Sequence, residues 1–211
     1  MTTAVHGRAQ AEETQEQDAT ELGVWLFLAS EITLFGAVVA SYLATRLGSP
    51  DCALGVPVWP QSSRLPGLAL AAANTFILVT SSWTMARAVA MASEGRATSA
   101  RRALLATTAL GALFLGVKAC EYWLKISHGL YPGSHEAKAS AGLSIFLSYY
   151  FAMTGLHALH VVAGLVWNML TRAGAGVLPP DAFARRVHAA GLYWHFVDAV
   201  WVVLLPLLYL I

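Results

Sequence analysis

Ionisable side chains recur inside the most apolar stretches of this chain. Glu31 stands in the middle of Leu22–Ala44, Lys118 and Glu121 fall in a later apolar stretch, His157 and His160 in the next, and His195 and Asp198 in the last. A charged side chain at the centre of a bilayer costs on the order of 3 kcal/mol on insertion scales. Such groups must face protein, a polar cavity or a bound headgroup rather than lipid tails. The chemistries open to them are proton transfer, metal binding, contact with a lipid or partner subunit, and hydrogen bonding between helices.

Each cluster has a functional and a structural reading. Helical spacing puts Phe27, Glu31 and Phe35 on one face, with Trp25 and Ser30 close by. Glu31 is then a buried protonatable carboxyl, a contact to lipid or partner, or a hydrogen bond between helices. Lys118 and Glu121 are three apart and can pair along their own helix, their stems snorkelling toward the interface. His157 and His160 share a face in the run Thr154-Gly155-Leu156-His157-Ala158-Leu159-His160. A dimetal bundle uses Glu-x-x-His; here the pattern is His-x-x-His with scattered carboxylates. Two neutral histidines, each bonded to a neighbouring helix, is the favoured reading, with Gly155 and Gly164 allowing close helix approach. His195 and Asp198 are also three apart; a carboxylate there can fix the imidazole tautomer. A packed, satisfied pair is favoured over a proton relay. The aromatics Trp25, Tyr122, Tyr193, Trp194 and Trp201 are expected at membrane–water interfaces.

These residues need elements to hold them, and the composition says which kind. The 211 residues are 57% hydrophobic and 12% charged, against about 25% charged in soluble domains. With a mean hydropathy of +0.57, this is an integral membrane protein. A net charge of +1 without a basic patch excludes a nucleic-acid role. Five apolar segments are expected to span, at Leu22–Ala44, Leu68–Ala92, Ala103–Leu124, Ala141–Leu170 and Ala189–Ile211. Backbone groups cannot stay unpaired in lipid, so segments of this length are helices and the fold is all-α. The links Arg46–Pro66, Ser93–Arg102, Lys125–Ser140 and Thr171–His188 are polar.

Residues 1–20 are polar and acidic, lack a signal-peptide pattern and read as a disordered tail before a transmembrane domain at 21–211. Cys52 and Cys120 form no motif. The N-terminal side collects Arg8, Arg87, Arg96, Arg101, Arg102, Arg172, Arg185 and Arg186, the other side Arg46, Arg64, Lys125 and Lys138. That asymmetry favours a cytoplasmic N-terminus and an external C-terminus.

The combination resembles subunit III of haem-copper oxidases. Glu-Leu-Gly-Val-Trp-Leu-Phe-Leu-Ala-Ser-Glu at 21–31 followed by Phe35, Lys-Ala-Cys-Glu-Tyr at 118–122, Met-Thr-Gly-Leu-His-Ala-Leu-His-Val at 153–161 and Tyr-Trp-His-Phe-Val-Asp-Ala-Val-Trp at 193–201 stand in that family's order and spacing. The resemblance implies a non-catalytic accessory subunit of a bacterial, proton-translocating cytochrome c oxidase. It carries no cofactor or metal of its own; haem and copper are expected in partner subunits. It packs on subunit I, with subunit II and a small subunit IV in the assembly, in the bacterial inner membrane. It supports proton uptake by subunit I and has room for a structural phospholipid. Glu31 matches the family's intramembrane carboxyl; Glu121, His157, His160, His195 and Asp198 match internal polar positions. The chain has five helices where the long form of the family has seven, which puts the lipid cleft in doubt. The equivalent subunit of a quinol oxidase, or a nitric-oxide-reductase accessory protein, is the alternative. A proton-coupled transporter is the rival from another class; the internal repeats and broken helices of transporters are not visible.

Overall fold

A computed structural model of the chain describes residues 2–48, 68–138 and 141–209. Among them the elements are α1 (Thr2–Leu47), α2 (Leu68–Ser93), α3 (Ala97–Ser127), the short α4 (His135–Lys138), α5 (Ala141–Ala173) and α6 (Pro180–Tyr209), with no strand. Five stretches are long and apolar enough to cross a bilayer: Leu22–Leu47, Leu68–Ser93, Ala97–Ser127, Gly142–Ala173 and Pro180–Tyr209. The expected five-helix, all-α membrane fold is what the chain adopts. Cys52 and most of the Arg46–Pro66 link lie outside the described residues.

Three boundaries differ most from the sequence reading, the first being the start of α3, at Ala97 rather than Ala103, which takes Arg101 and Arg102 out of the link. The last helix starts at Pro180, well before Ala189. Proline at a first helical position loses no hydrogen bond, and Asp181 in the first turn suits the positive end of the helix dipole. The basic run at Arg185 and Arg186 is therefore helix, not link. At the other terminus, residues 2–20, expected as a disordered tail, are helical and continuous with α1. The Ala, Gln and Glu there are good helix formers, and extending an existing helix avoids the cost of nucleation.

Helices α2 and α3 form a tight antiparallel hairpin. Its turn passes through Gly95 at φ 72°, a left-handed conformation that costs glycine nothing. Helix α6 is the central element: half of its span is buried, against 11% for that of α1. It packs on α1, α2 and α5, while α3 packs on α2 and α5.

Trp194 is the keystone of this packing. It is fully buried, and its indole Nε1 donates to Ser81 Oγ of α2 at 3.1 Å. Its ring lies against Gly111 of α3 and Gly164 of α5, where an added Cβ would come within 2.6 and 2.9 Å of indole carbons. Gly164 thus permits the close approach expected of it. Gly155 does not: a Cβ there would meet only the Tyr122 hydroxyl, at 3.9 Å.

The expected aromatic belt needs a matching correction. Trp194 and Trp201 are fully buried and Tyr193 nearly so. Each finds a partner for its polar atom inside the bundle: Ser81 for Trp194, Thr75 Oγ1 at 3.1 Å for Trp201 Nε1, and the His160 carbonyl at 3.0 Å for the Tyr193 hydroxyl. With the N–H or O–H satisfied, burial of so large an apolar surface is favourable. Trp25 is exposed and Tyr122 half-buried.

Candidate functional site

The bundle holds three polar sites, each built from ionisable groups singled out in the sequence. The first sits toward the C-terminal ends of α3 and α6. Lys118 Nζ donates to Glu121 Oε2 at 2.9 Å, as the i,i+3 spacing predicts. The pair is not a snorkelling surface pair, since Lys118 and Glu121 are 4% and 1% exposed. Two tyrosines from distant segments close the site. Tyr150 of α5 and Tyr209 of α6 each accept from Lys118, at 3.1 and 3.0 Å, and each donate to Glu121 Oε1, at 2.8 and 2.7 Å. Lys125, one turn beyond Glu121, lies 3.3 Å from the same oxygen and is also buried.

A single carboxylate thus collects two ammonium groups and two phenols. Lys118 Nζ also stands 5.0 Å from the centre of the Trp201 ring and 5.2 Å from that of Tyr150, where ring quadrupoles attract a cation. Every short contact of Glu121 is to a donor, which is the condition for holding a charge away from water. Tyr122 is hydrogen-bonded to Thr154, which in turn donates to the Tyr150 carbonyl, tying α3 to α5 beside the cluster. Lys125, Tyr150 and Tyr209 were not among the singled-out site residues. The i,i+4 spacing of Lys125 from Glu121 was a usable signal; nothing in the linear sequence pairs Tyr150 or Tyr209 with that carboxylate.

The second site joins α1 to α5. Glu31 Oε2 lies 2.8 Å from His160 Nε2, and His160 Nδ1 lies 2.8 Å from the carbonyl of Leu156. A carbonyl only accepts, so Nδ1 carries a hydrogen. The short contact at Nε2 then needs one further proton, on the imidazole or on the carboxyl. The pair therefore holds a single shared proton and is neutral overall in either form. Its side chains are 15% and 14% exposed. Phe35 packs edge-on to His160 with ring centres 5.1 Å apart, so the Phe27–Glu31–Phe35 face is the one that α1 turns to the bundle. Glu31 thus makes a hydrogen bond between helices, to His160.

His157, three residues before His160, was expected to bond to a neighbouring helix and does not. Both ring nitrogens are unpartnered, and the ring is packed between Phe114, at 5.6 Å, and Trp201, at 5.2 Å between centres. His157 and His160 point to different environments, and among the described residues no three His, Cys, Asp or Glu side chains form a group that could hold a metal ion.

The third site lies between α2 and α6. The i,i+3 spacing of His195 and Asp198 suggests a pair, but the imidazole turns to α2 instead, where His195 Nδ1 meets Ser82 Oγ at 2.8 Å. Asp198 is left 8% exposed with neither oxygen hydrogen-bonded. The expected satisfied pair is therefore absent: a hydroxyl across the helix interface offers the ring a better-placed partner than a carboxylate one turn along its own helix. Both residues line a pocket of about 420 Å³.

These sites share a chemistry. Apart from His157 and Asp198, the ionisable groups singled out bond to one another or to tyrosine and serine hydroxyls, and tie α1 to α5, α3 to α5 and α6, and α2 to α6. A family model described as cytochrome c oxidase subunit III matches residues 4–211. The chain is 32% identical to the cytochrome c oxidase subunit 3 of Corynebacterium diphtheriae, over 90% of this chain and 87% of that one. It is 30% identical to the protein of the same name in Thermostichus vulcanus, over 93% and 90%. It is also 32% identical to the cytochrome bo(3) ubiquinol oxidase subunit 3 of Pseudomonas aeruginosa, over 90% and 84%.

Proposed function

The chain belongs to the cytochrome c oxidase subunit III family, and from that premise we propose that it serves a bacterial respiratory oxidase as a support for subunit I rather than as a site of chemistry. It is a subunit III of a haem-copper oxidase and a multi-pass membrane protein, associated with other oxidase subunits. Its finer role follows from how its buried charges are used. Glu121, Lys118 and Lys125 are consumed by one another and by Tyr150 and Tyr209, and that observation carries the proposal. Groups so engaged rigidify a bundle; none is free to meet a substrate.

In this reading the chain lies in the inner membrane with its N-terminus in the cytoplasm. It packs directly on subunit I, which holds haem and copper, in a complex with subunit II and a small subunit IV. It shields the proton entry of subunit I and keeps that subunit from inactivating during turnover, with phospholipid filling gaps between them. The electron donor is cytochrome c, and the whole assembly is a proton-translocating cytochrome c oxidase. Affinity purification of the tagged chain from native membranes in mild detergent tests this. Haem and copper in stoichiometric amounts, carried by co-purifying subunits I and II, are expected, with a copper-binding cysteine cluster in subunit II. A chain that purifies alone, with its own chromophore, would overturn it. Oxidation of quinol but not of cytochrome c by the purified complex would instead select the quinol-oxidase form.

A further inference from the structure

Ser82, His195 and Asp198 meet in the pocket between α2 and α6, and their hydrogens can be counted. His195 Nδ1 and Ser82 Oγ, 2.8 Å apart, share one hydrogen. If the hydroxyl supplies it, a neutral imidazole carries its own hydrogen on Nε2. If the ring supplies it, Nε2 is bare and the hydroxyl hydrogen is left over. Asp198, one turn along α6 and nine-tenths buried, has neither carboxyl oxygen in bonding geometry. Ser82 is nonetheless the side chain whose hydroxyl bears on that carboxyl. The leftover hydrogen therefore has an acceptor beside it once the hydroxyl turns.

The direction of the Ser82–His195 bond is thus tied to the proton on Asp198. A protonated carboxyl donates to Ser82 Oγ, Ser82 donates to Nδ1, and Nε2 keeps its hydrogen. Moving two hydrogens one place along gives a carboxylate that accepts from Ser82, which accepts from the Nδ1–H of an imidazolium. Both arrangements are neutral overall, which suits a pocket whose lining holds no Lys or Arg. Loss of the Nε2 hydrogen from the second arrangement releases one proton and leaves the carboxylate bonded to Ser82. A proton returning to Nε2 reverses every step without rotation of the ring.

The surroundings can carry the charge of the released state. Trp83 and Trp201 line the pocket, and each holds a cation 5.0 Å from its ring centre, Arg87 on Trp83 and Lys118 on Trp201. From α5, His157 packs on Trp201 as well. Nε2 is neither hydrogen-bonded nor shut in, so it is the ring nitrogen left to the pocket. The volume of about 420 Å³ has room for several waters, each of which takes about 30 Å³ in the liquid.

We propose that Ser82, His195 and Asp198 form a proton-loading site, in which a proton from water enters at His195 Nε2, crosses the Ser82 hydroxyl and is stored on Asp198. Positioned histidines are the commonest side chains in such transfers. This goes beyond the support role and leaves it unaltered: the Glu121 cluster is closed on itself, whereas this one has an open end.

The test uses the whole complex, purified with this chain carrying ring-labelled histidine. Infrared difference spectra are recorded between acid and alkaline buffer. Asp198→Asn identifies the C=O stretch of the protonated Asp198 carboxyl as the band it removes, and His195→Gln identifies the His195 ring bands. As the pH rises, the carboxyl band is expected to vanish, and in the same step the His195 ring should change from the tautomer with hydrogen on Nε2 to the one with hydrogen on Nδ1. Ser82→Ala should separate the two changes and slow deuterium exchange at the carboxyl several-fold. Ser82→Thr, which keeps a hydroxyl, should restore both. A carboxyl band that persists at every pH, one already missing in acid, or a His195 tautomer that stays fixed while the band vanishes would overturn the site. Should the Ser82→Ala chain fail to enter the complex, the titration with native Ser82 decides alone. Each of these outcomes leaves the subunit III role standing.

Discussion

At the scale of single residues, the one shared proton of Glu31 and His160 sets what each substitution must do. Glu31→Gln replaces the carboxyl by an amide of the same shape whose N–H can donate to the bare Nε2, while Nδ1 keeps Leu156. The loss of stability should stay below about 1 kcal/mol. Glu31→Lys brings an ammonium group to a position flanked by Phe35 and leaves it without an anion, and should cost roughly 3 kcal/mol or more. Thermal denaturation of the purified complex, with the yield of subunit III in it, checks both; equal behaviour of the two variants would mean that the position faces solvent.

The Glu121 cluster makes a second prediction, of order rather than of size alone. Glu121→Gln strands two ammonium groups in a buried site and should cost about 3–5 kcal/mol. Lys118→Met removes one of them but leaves Glu121 with Lys125, Tyr150 and Tyr209, so it should cost distinctly less, about 1–3 kcal/mol. Melting curves showing Lys118→Met as the worse of the two would contradict the view that the carboxylate is the hub.

How far these sites could be read in advance depends on the range of the contact. Lys118–Glu121 was legible because both ends sit on one helix. Tyr150 and Tyr209 were not, because their meeting depends on how α5 and α6 pack on α3. Spacing misled at His195 and Asp198: three residues apart makes a pair feasible, but Ser82 on α2 offered the imidazole an alternative.

At the scale of the elements, the tight contacts of Trp194 decide how closely α3, α5 and α6 approach. A methyl group at Gly111 would lie 2.6 Å from the indole and 2.8 Å from Leu165 Cδ2. Gly111→Ala should therefore lose about 1–3 kcal/mol through overpacking. Gly155→Ala, on a face with open space, should change stability by less than about 0.5 kcal/mol. If the Gly111 loss comes from the indole, pairing Gly111→Ala with Trp194→Phe should show positive coupling in a double-mutant cycle of melting temperatures. Additive effects would place the strain elsewhere. The helices themselves were legible, because a stretch of about 20 apolar residues has one stable conformation in lipid. Their ends were less so. The stretch from Pro179 to Arg186 looks like a link, yet a helix starts at Pro180, since proline is well suited to a first turn. The buried tryptophans misled for a related reason. In a membrane protein an aromatic near a segment end suggests the interface, and only the presence of Ser81 and Thr75 across the bundle makes the interior equally good.

At the scale of the whole molecule, the five spanning helices among the described residues, on the proposed reading, leave the two termini on opposite sides of the membrane. Arg96 in the α2–α3 connection, and Arg101, Arg102, Arg172, Arg185 and Arg186 at the adjoining helix ends, then lie on the side of the N-terminus. The proposed orientation, with that side in the cytoplasm, predicts that a reporter fused at the C-terminus is active only if it folds outside, and one at the N-terminus only if it folds inside. The reverse result would invert the orientation without altering the bundle. Each ionisable cluster links helices, and the chain reads as a rigid companion to a larger machine. The most direct measurement of that claim compares the oxidase purified with and without this chain and follows oxygen consumption under saturating electron donor. The account predicts equal haem and copper content, an initial rate changed by less than about twofold, and a several-fold shorter time to inactivation when the chain is missing. An unchanged lifetime, or the loss of all activity from the first turnover, would contradict it.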